Sequence, residues 1–284
     1  MKQITIVSGK GGTGKTTLTA AFAALAQNHV MADGDVDAAD LHLILTPQIR
    51  KEEEFYGGRV PYLDKAICIE CGTCMEVCRF NAIHDFMIDP ISCEGCGVCM
   101  HACPNEAIKM EDKLSGHWFL SDTRFGPMVH AKLGIAEENS GKLVTLVRQQ
   151  GRLIAEKNER DLILIDGPPG IGCPVIAAIT GVDIVLVVTE PTVSGIHDME
   201  RVLGVAEHFS VPAVVCINKC DINHQNTLKI KEYCQHRDID VLGEIPFDRV
   251  VTKAMVNGQA IVEDDFGIVT EVVKDIWERM QAKL

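Results

Sequence analysis

Basic side chains are scarce in this chain. Its 284 residues hold 27 Lys and Arg against 40 Asp and Glu, a formal net charge of −13. Such a balance argues against DNA or an anionic bilayer as the main partner, while leaving room for a local basic face. Long apolar runs are missing too: none reaches the roughly 20 residues that a membrane-spanning helix needs. Met1-Lys2-Gln3-Ile4 leads straight into a strand-like run, with no basic segment ahead of a long apolar stretch. No secretory leader is therefore expected, and the expected compartment is the cytoplasm. The 10 His residues are scattered and form no ligand constellation. Apolar residues, by contrast, make up 46% of the chain, enough for one large α/β domain and a small module. Cysteine is abundant, with 12 residues. In a chain with no sign of secretion, that many thiols point to metal rather than to disulfides.

Eight of the cysteines form two runs of identical spacing, Cys68-x2-Cys71-x2-Cys74-x3-Cys78 and Cys93-x2-Cys96-x2-Cys99-x3-Cys103. Three thiolates spaced by two residues wrap a loop around one iron–sulfur cubane, and the fourth projects to the other cubane. That assigns Cys68, Cys71, Cys74 and Cys103 to one [4Fe–4S] cluster and Cys93, Cys96, Cys99 and Cys78 to a second. Zinc sites, the alternative, use Cys pairs separated by longer spacers. Gly72, Gly95 and Gly97 leave room for backbone N–H groups to approach cluster sulfurs. Pro104 follows the last cysteine, whereas Arg79 stands at the matching place after Cys78. Its positive charge is expected to raise the potential of one cluster relative to its twin. Residues 68–83 and 93–108 align without gaps as an internal repeat. Each half is too small to bury a core alone, so metal would contribute much of the folding free energy. Along this insert the chain resembles the two-cluster bacterial ferredoxins.

Around the insert the pattern is α/β. Ile4-Thr5-Ile6-Val7 reads as a buried strand, Thr16 to Ala26 as a helix, and Val30-Met31-Ala32 as a second strand ending in the acidic cluster Asp33, Asp35, Asp37 and Asp40. Later runs, Leu162 to Ile165, Ile184 to Val188 and Val214 to Ile217, are continuously apolar, as in parallel strands covered on both faces. Helical stretches separate them, which predicts right-handed βαβ units. Val241 to Ile245 is a weaker strand, and the stretch from Gly116 to Gly134 is compatible with an added hairpin. The expected fold is thus a mostly parallel sheet with helices on both faces, formed by residues 1–57 and 113–284 and interrupted by an α+β ferredoxin-like insert over 58–112.

The first strand runs into Gly9-Lys10-Gly11-Gly12-Thr13-Gly14-Lys15-Thr16-Thr17, a phosphate-binding loop in the strand–loop–helix context it requires. The glycines let backbone N–H groups face a phosphate, and the helix N-terminus favours an anion. Lys15 is expected on the β- and γ-phosphates and Thr16 on Mg²⁺.

Lys10, directly after the first glycine, marks the deviant form of this loop. Here the chain resembles the MinD/ParA/Mrp group of ATPases over nearly all its length outside the insert. The resemblance implies an ATP-dependent dimer, of two copies or with a related ATPase, in which Lys10 reaches the partner's nucleotide. The alternative for Lys10 is a solvated loop lysine. Asp33 and Asp35, flanking Gly34, match the group's Asp-x-Asp switch, which implies Asp35 on the attacking water and Asp33 near Mg²⁺. Leu162 to Gly170 resembles the second switch, implying Asp166 on Mg²⁺ and a Gly170 N–H approaching the γ-phosphate. Asn218 in Asn218-Lys219-Cys220-Asp221 is the expected base-reading residue. That run also fits the guanine-reading motif of GTPases, so ATP follows from the resemblance alone.

Cys173 lies three residues beyond Gly170 and reads either as a core cysteine or as a thiolate offered to a shared cluster. Cys216, Cys220 and Cys234 read as structural. The late Cys-x-x-Cys of the Mrp branch is absent outside the insert. Val273, Ile276, Trp277, Met280 and Leu284 recur at helical spacing, and acidic neighbours favour a sheet-covering role over membrane binding. The combined expectation is a cytoplasmic iron–sulfur ATPase that couples ATP hydrolysis to electron transfer towards a redox or metallocluster partner protein. A cluster carrier and a MinD-like positioning ATPase are the rivals.

Overall fold

The computed structural model describes Met1 to Leu284 except residues 135–136 and 138–140. In chain order it begins with β1 (Lys2–Ser8), α1 (Lys15–Leu25), β2 (His29–Asp33), α2 (Leu41–Leu45) and β3 (Gln48–Leu63). Next come α3 (Thr73–Glu76), β4 (Ile83–His84), β5 (Met87–Ile88), α4 (Val98–Ala102), β6 (Ile108–Thr123) and β7 (Gly126–Leu133). The remainder is α5 (Lys142–Lys157), β8 (Leu162–Pro169), α6 (Cys173–Ile179), β9 (Ile184–Thr189), α7 (Val193–His208), β10 (Ala213–Asn218), α8 (His224–His236), β11 (Val241–Ile245), α9 (Arg249–Val256) and α10 (Ile268–Gln281).

The chain divides into two compact units, one of residues 1–53, 118–132 and 139–284, the other of residues 54–117 and 133–138. The boundaries expected at 57/58 and 112/113 fall inside β3 and β6. A strand exposed along the whole of its first stretch, Gln48 to Glu54, carries no periodic signal by which its length can be read.

The first unit is built on a sheet of order β11-β10-β9-β1-β8-β2-β7-β6-β3. Strands β1, β2, β7, β8, β9, β10 and β11 pair in parallel. The period of two decides its covering. Leu162, Leu164, Ile184, Leu186 and Val188 join one core with α1 and α10, while the intervening Ile163, Ile165, Val185 and Val187 are as deeply buried on the other face. The C-terminal stripe is spent on that first core: Val273, Ile276, Trp277 and Met280 are buried in it, and the Trp277 ring lies 5.1 Å from that of Phe22. The hairpin between Gly116 and Gly134 is present as β6 and β7, its turn closed by Thr123 Oγ1 donating to Gly126 O at 2.9 Å. β7 then adds to the main sheet beside β2, with Met31 opposite Met128.

The second unit carries the internal repeat in three dimensions. α3 and α4 each begin one residue after a left-handed glycine, Gly72 at φ 82° and Gly97 at φ 74°. Equivalent residues of the two halves, Cys74 with Cys99 and Ile83 with Ile108, are buried together with Leu63 in one small core.

Candidate functional site

Parallel strands deliver their C-terminal ends to one edge, and the carboxyl ends of β1, β8 and β2 lie side by side there. The register sets Asp33 directly opposite Asp166 on neighbouring strands. The loop after β1 closes over them. Gly14 caps α1 at φ 97°, and a Cβ there would stand 2.4 Å from the Asn218 amide nitrogen. Gly9 is equally constrained, because a Cβ would meet the Asp198 side chain of α7 at 2.1 Å.

Lys15 is buried, and its Nζ lies 3.6 Å from Asp35 Oδ2. The Asp33 Oδ1 accepts the Asp35 N–H at 3.2 Å, and Asp166 Oδ1 accepts from the Thr19 hydroxyl at 3.0 Å. Three carboxylate oxygens, Asp33 Oδ2, Asp35 Oδ1 and Asp166 Oδ2, are buried without a hydrogen-bond partner among the described residues. Burial, then the Asp166 and Asp35 charges, pushes Asp33 well above the usual carboxylate range. Burial lifts Asp166 to about 6 against the pull of Lys15 and the Thr16 hydroxyl. Asp35 is raised by burial too, with Lys15 opposing. Hard oxygens left unpaired beside a single lysine are the donor set of a divalent cation. Mg²⁺ therefore fits Asp33 and Asp166 with Thr16 adjoining, while Asp35 faces Lys15.

Outward from these groups opens a pocket of about 390 Å³, lined by Gly11, Gly12, Gly14, Lys15, Thr16, Thr17, Asp35 and Asn218 among the expected residues. Gly9, Thr13, Asp33 and Asp166 lie behind that surface, where they shape and charge it. The far wall is apolar, with Pro246, Phe247, Val251 and Met255.

Three expectations change in detail. Asn218 lines the pocket with its amide partly engaged. Its Nδ2 donates to Thr13 O at 2.8 Å and its Oδ1 accepts the Lys219 N–H at 2.9 Å, which ties the phosphate loop to β10. Asp221, the guanine-reading position, accepts the Phe247 N–H at 2.7 Å and so holds the 246–248 turn. The Gly170 N–H donates to Ser8 O at 2.9 Å, so it is not free for a phosphate in this state.

Lys10 is not merely solvated. Its Nζ lies 2.7 Å from Glu190 Oε1, and Lys219 Nζ lies 3.1 Å from Glu190 Oε2. Lys219 also reaches Gly12 O at 3.4 Å. Burial alone would raise Glu190, but hydrogen bonds from the two lysines outweigh it and hold the carboxyl below its usual value. Nothing in the sequence marked Glu190: it follows the apolar run of β9 by one residue, and its role depends on which loops that strand adjoins.

In the second unit, Cys68, Cys71, Cys74 and Cys103 line one narrow cavity with Leu63, Phe86 and Ile108. Backbone N–H groups point at sulfur: Glu70 to Cys68 at 3.4 Å, Ala82 to Cys78 at 3.3 Å and Ala107 to Cys103 at 3.3 Å. Burial raises the Cys74 and Cys99 thiols, and each feels the two preceding cysteines of its own run, Cys68 and Cys71 or Cys93 and Cys96. Among the described residues no three His, Cys, Asp or Glu side chains gather as ligands of a single metal ion. Outside this unit, Cys216 and Cys234 are buried, with thiols pushed up to about 12 and about 11, so they are inert core residues. Cys173 is exposed at the start of α6.

A strand–loop–helix phosphate cradle at the carboxyl edge of a parallel sheet defines a nucleotide-binding α/β protein. The chain belongs to the CobQ/CobB/MinD/ParA nucleotide binding domain family, whose model matches residues 4–261. Among its relatives is the uncharacterized protein MJ0578 of Methanocaldococcus jannaschii, 35% identical over 98% of this chain and 96% of that one. The septum site-determining protein MinD of Bacillus subtilis is 27% identical over 92% of this chain and 82% of its own length. In fold, the chain is similar to MinD of Pyrococcus horikoshii solved with Mg-ADP, at 20% identity and TM-score 0.60, covering 100% of this chain and 98% of that one. No helix of the described residues is long and apolar enough to cross a membrane.

Proposed function

We propose that the protein is an ATP hydrolase of MinD/ParA type that carries two [4Fe–4S] clusters and couples its nucleotide cycle to electron transfer towards a partner metalloprotein. The observation that carries the hydrolase reading is the group of orphaned carboxylate oxygens beside Lys15 at the mouth of the phosphate loop. Phosphoryl transfer asks the protein mainly for positioning and charge control. Backbone N–H groups of Gly11 to Thr16 cradle the phosphates, and Lys15 neutralises the β- and γ-oxygens. Thr16, Asp33 and Asp166 hold Mg²⁺. Asp35 orients the attacking water, and Lys10, released from Glu190, serves the nucleotide of a partner chain. The relatives support this reading: the Pyrococcus horikoshii MinD was solved with Mg-ADP, and the Aquifex aeolicus MinD with MinC.

The iron–sulfur reading rests on a coincidence of two kinds of observation. The spacing rule draws Cys103 from the second run to complete the first set, and those four thiols line one cavity. N–H groups aimed at sulfur suit thiolates that carry cluster charge. When bound, the clusters supply one-electron redox chemistry. Anaerobic reconstitution should yield about eight iron per chain, two cubanes' worth. The spectrum of the reduced protein should differ between ADP and a non-hydrolysable ATP analogue. Lys15→Ala should abolish phosphate release. A colourless preparation would remove the clusters from the reading, and an unchanged spectrum would remove the coupling. Iron delivered to an apo-protein would turn it into a carrier.

Similarity to MinD along 92% of the chain favours a second reading, a positioning ATPase. ATP-dependent flotation with anionic vesicles would support it. Against it, the apolar stripe of α10 is committed to the core.

A further inference from the structure

The two cysteine runs differ at several places, and at one of them a side-chain hydroxyl faces a ligand sulfur. The first reads Cys68-Ile69-Glu70-Cys71-Gly72-Thr73-Cys74 and the second Cys93-Glu94-Gly95-Cys96-Gly97-Val98-Cys99. Much else about them is matched. Both helices start after a left-handed glycine, Cys74 and Cys99 are each 7% exposed, and the crossing cysteines Cys78 and Cys103 each accept a backbone N–H at 3.3 Å. Against that symmetry, Thr73 Oγ1 lies 3.4 Å from Cys71 Sγ. Val98, its counterpart, has no hydroxyl to offer Cys96.

We propose that Thr73 makes the centre held by Cys68, Cys71, Cys74 and Cys103 the higher-potential one of the pair. The inference rests on the iron–sulfur reading above. A thiolate ligand can only accept, so the Thr73 hydroxyl donates to Cys71 Sγ. That bond draws charge from the sulfur and favours the reduced, more negative state of the centre. The sequence offers an opposing effect, the Arg79 cation after Cys78. Arg79 is exposed and its guanidinium stacks over the Phe80 ring at 5.7 Å, so water screens its charge. Cys71 is exposed as well, but the Thr73 hydroxyl touches the ligand sulfur itself whereas Arg79 acts through water, and the direct contact decides the order.

The test is an anaerobic, mediator-equilibrated redox titration followed by electron paramagnetic resonance, on full-length reconstituted protein whose iron and sulfide have been counted. Thr73→Val should lower one potential by the equivalent of roughly a tenfold change in the redox equilibrium, about 59 mV for a one-electron couple. Val98→Thr should raise the other by a comparable amount. Thr73→Ser, which keeps the hydroxyl, should hold the wild-type value. Unmoved potentials in both Thr73→Val and Val98→Thr at full iron content would overturn the role of Thr73 while leaving the clusters in place. Wild-type protein that takes up no iron would overturn the cluster reading and this inference with it.

Discussion

Replacing Asp166 by Asn should make the metal-free, nucleotide-free protein more stable while destroying its response to Mg²⁺-nucleotide. Asp166 is fully buried, and its carboxyl is raised from 3.8 to about 6 chiefly by burial. A raised carboxylate contributes stability below its unfolded pKa and loses it as pH climbs through the folded value. At about 1.4 kcal/mol per unit, the ionised form costs the folded apoprotein ~3 kcal/mol at neutral pH. Asn keeps an acceptor for the Thr19 hydroxyl, now 3.0 Å from Oδ1, and carries no charge. Allowing about 1 kcal/mol for poorer hydrogen bonding, the variant should gain ~2 kcal/mol, or about 5 °C in midpoint for a domain of this size. Urea unfolding in chelator, read by tryptophan fluorescence, is the assay. Both tryptophans, Trp118 and Trp277, lie in the nucleotide-binding unit, so the signal reports the right part of the chain. The informative quantity is the difference between variant and wild type against pH. His29 and His130, both held down to about 4 by burial, impose the opposite slope on each protein. Their contribution is lost as pH falls, and it cancels in the difference. That difference should vanish near pH ~4 and grow as pH climbs through ~6, and relief of Asp33, which the Asp166 charge raises, adds in the same direction. A flat difference, or a variant less stable than wild type at pH ~8, would refute the reasoning.

Glu190→Gln should free Lys10 from its ion pair, whose partners are partly exposed. At about 1 kcal/mol for such a pair, the protein concentration giving half-maximal ATP turnover should fall roughly fivefold; an unmoved concentration dependence would show that Lys10 is not held back by this contact. Gly14→Ala should weaken ATP binding about tenfold, measured by calorimetry. The left-handed backbone costs about 1 kcal/mol, and the new methyl must also push Asn218 off Thr13 O. Wild-type affinity would mean that the loop relaxes freely.

Much of the nucleotide-binding unit could be read from residue order, because its signals are local. An apolar run ending at glycine, a lysine before two threonines and an acidic strand end each declare themselves within a few residues. The covering of the sheet by α10 was equally legible, since Val273, Ile276, Trp277 and Met280 repeat at helical spacing. What escaped is set by adjacency across the sheet. Glu190 is an unremarked acid after β9 until β1 and β10 bring Lys10 and Lys219 to its two oxygens. Asn218 and Asp221 have the residue types of base readers, yet their hydrogen bonds go to Thr13 and Phe247. The Asp221 contact depends on a loop 25 residues further on, at positions 246–248. The outer strand β3 was missed for a different reason: its first seven residues are all exposed, so hydropathy has no alternation to report.

The strand register that sets Asp33 against Asp166 has a calorimetric consequence. Carboxyls whose proton affinity is elevated in the empty protein must surrender those protons when a divalent cation takes their place. On the proposed reading, arrival of Mg²⁺-nucleotide should double as acid release, with a heat that varies with the ionisation enthalpy of the buffer. Acidity is expected to act at this site as a competitor of a divalent cation.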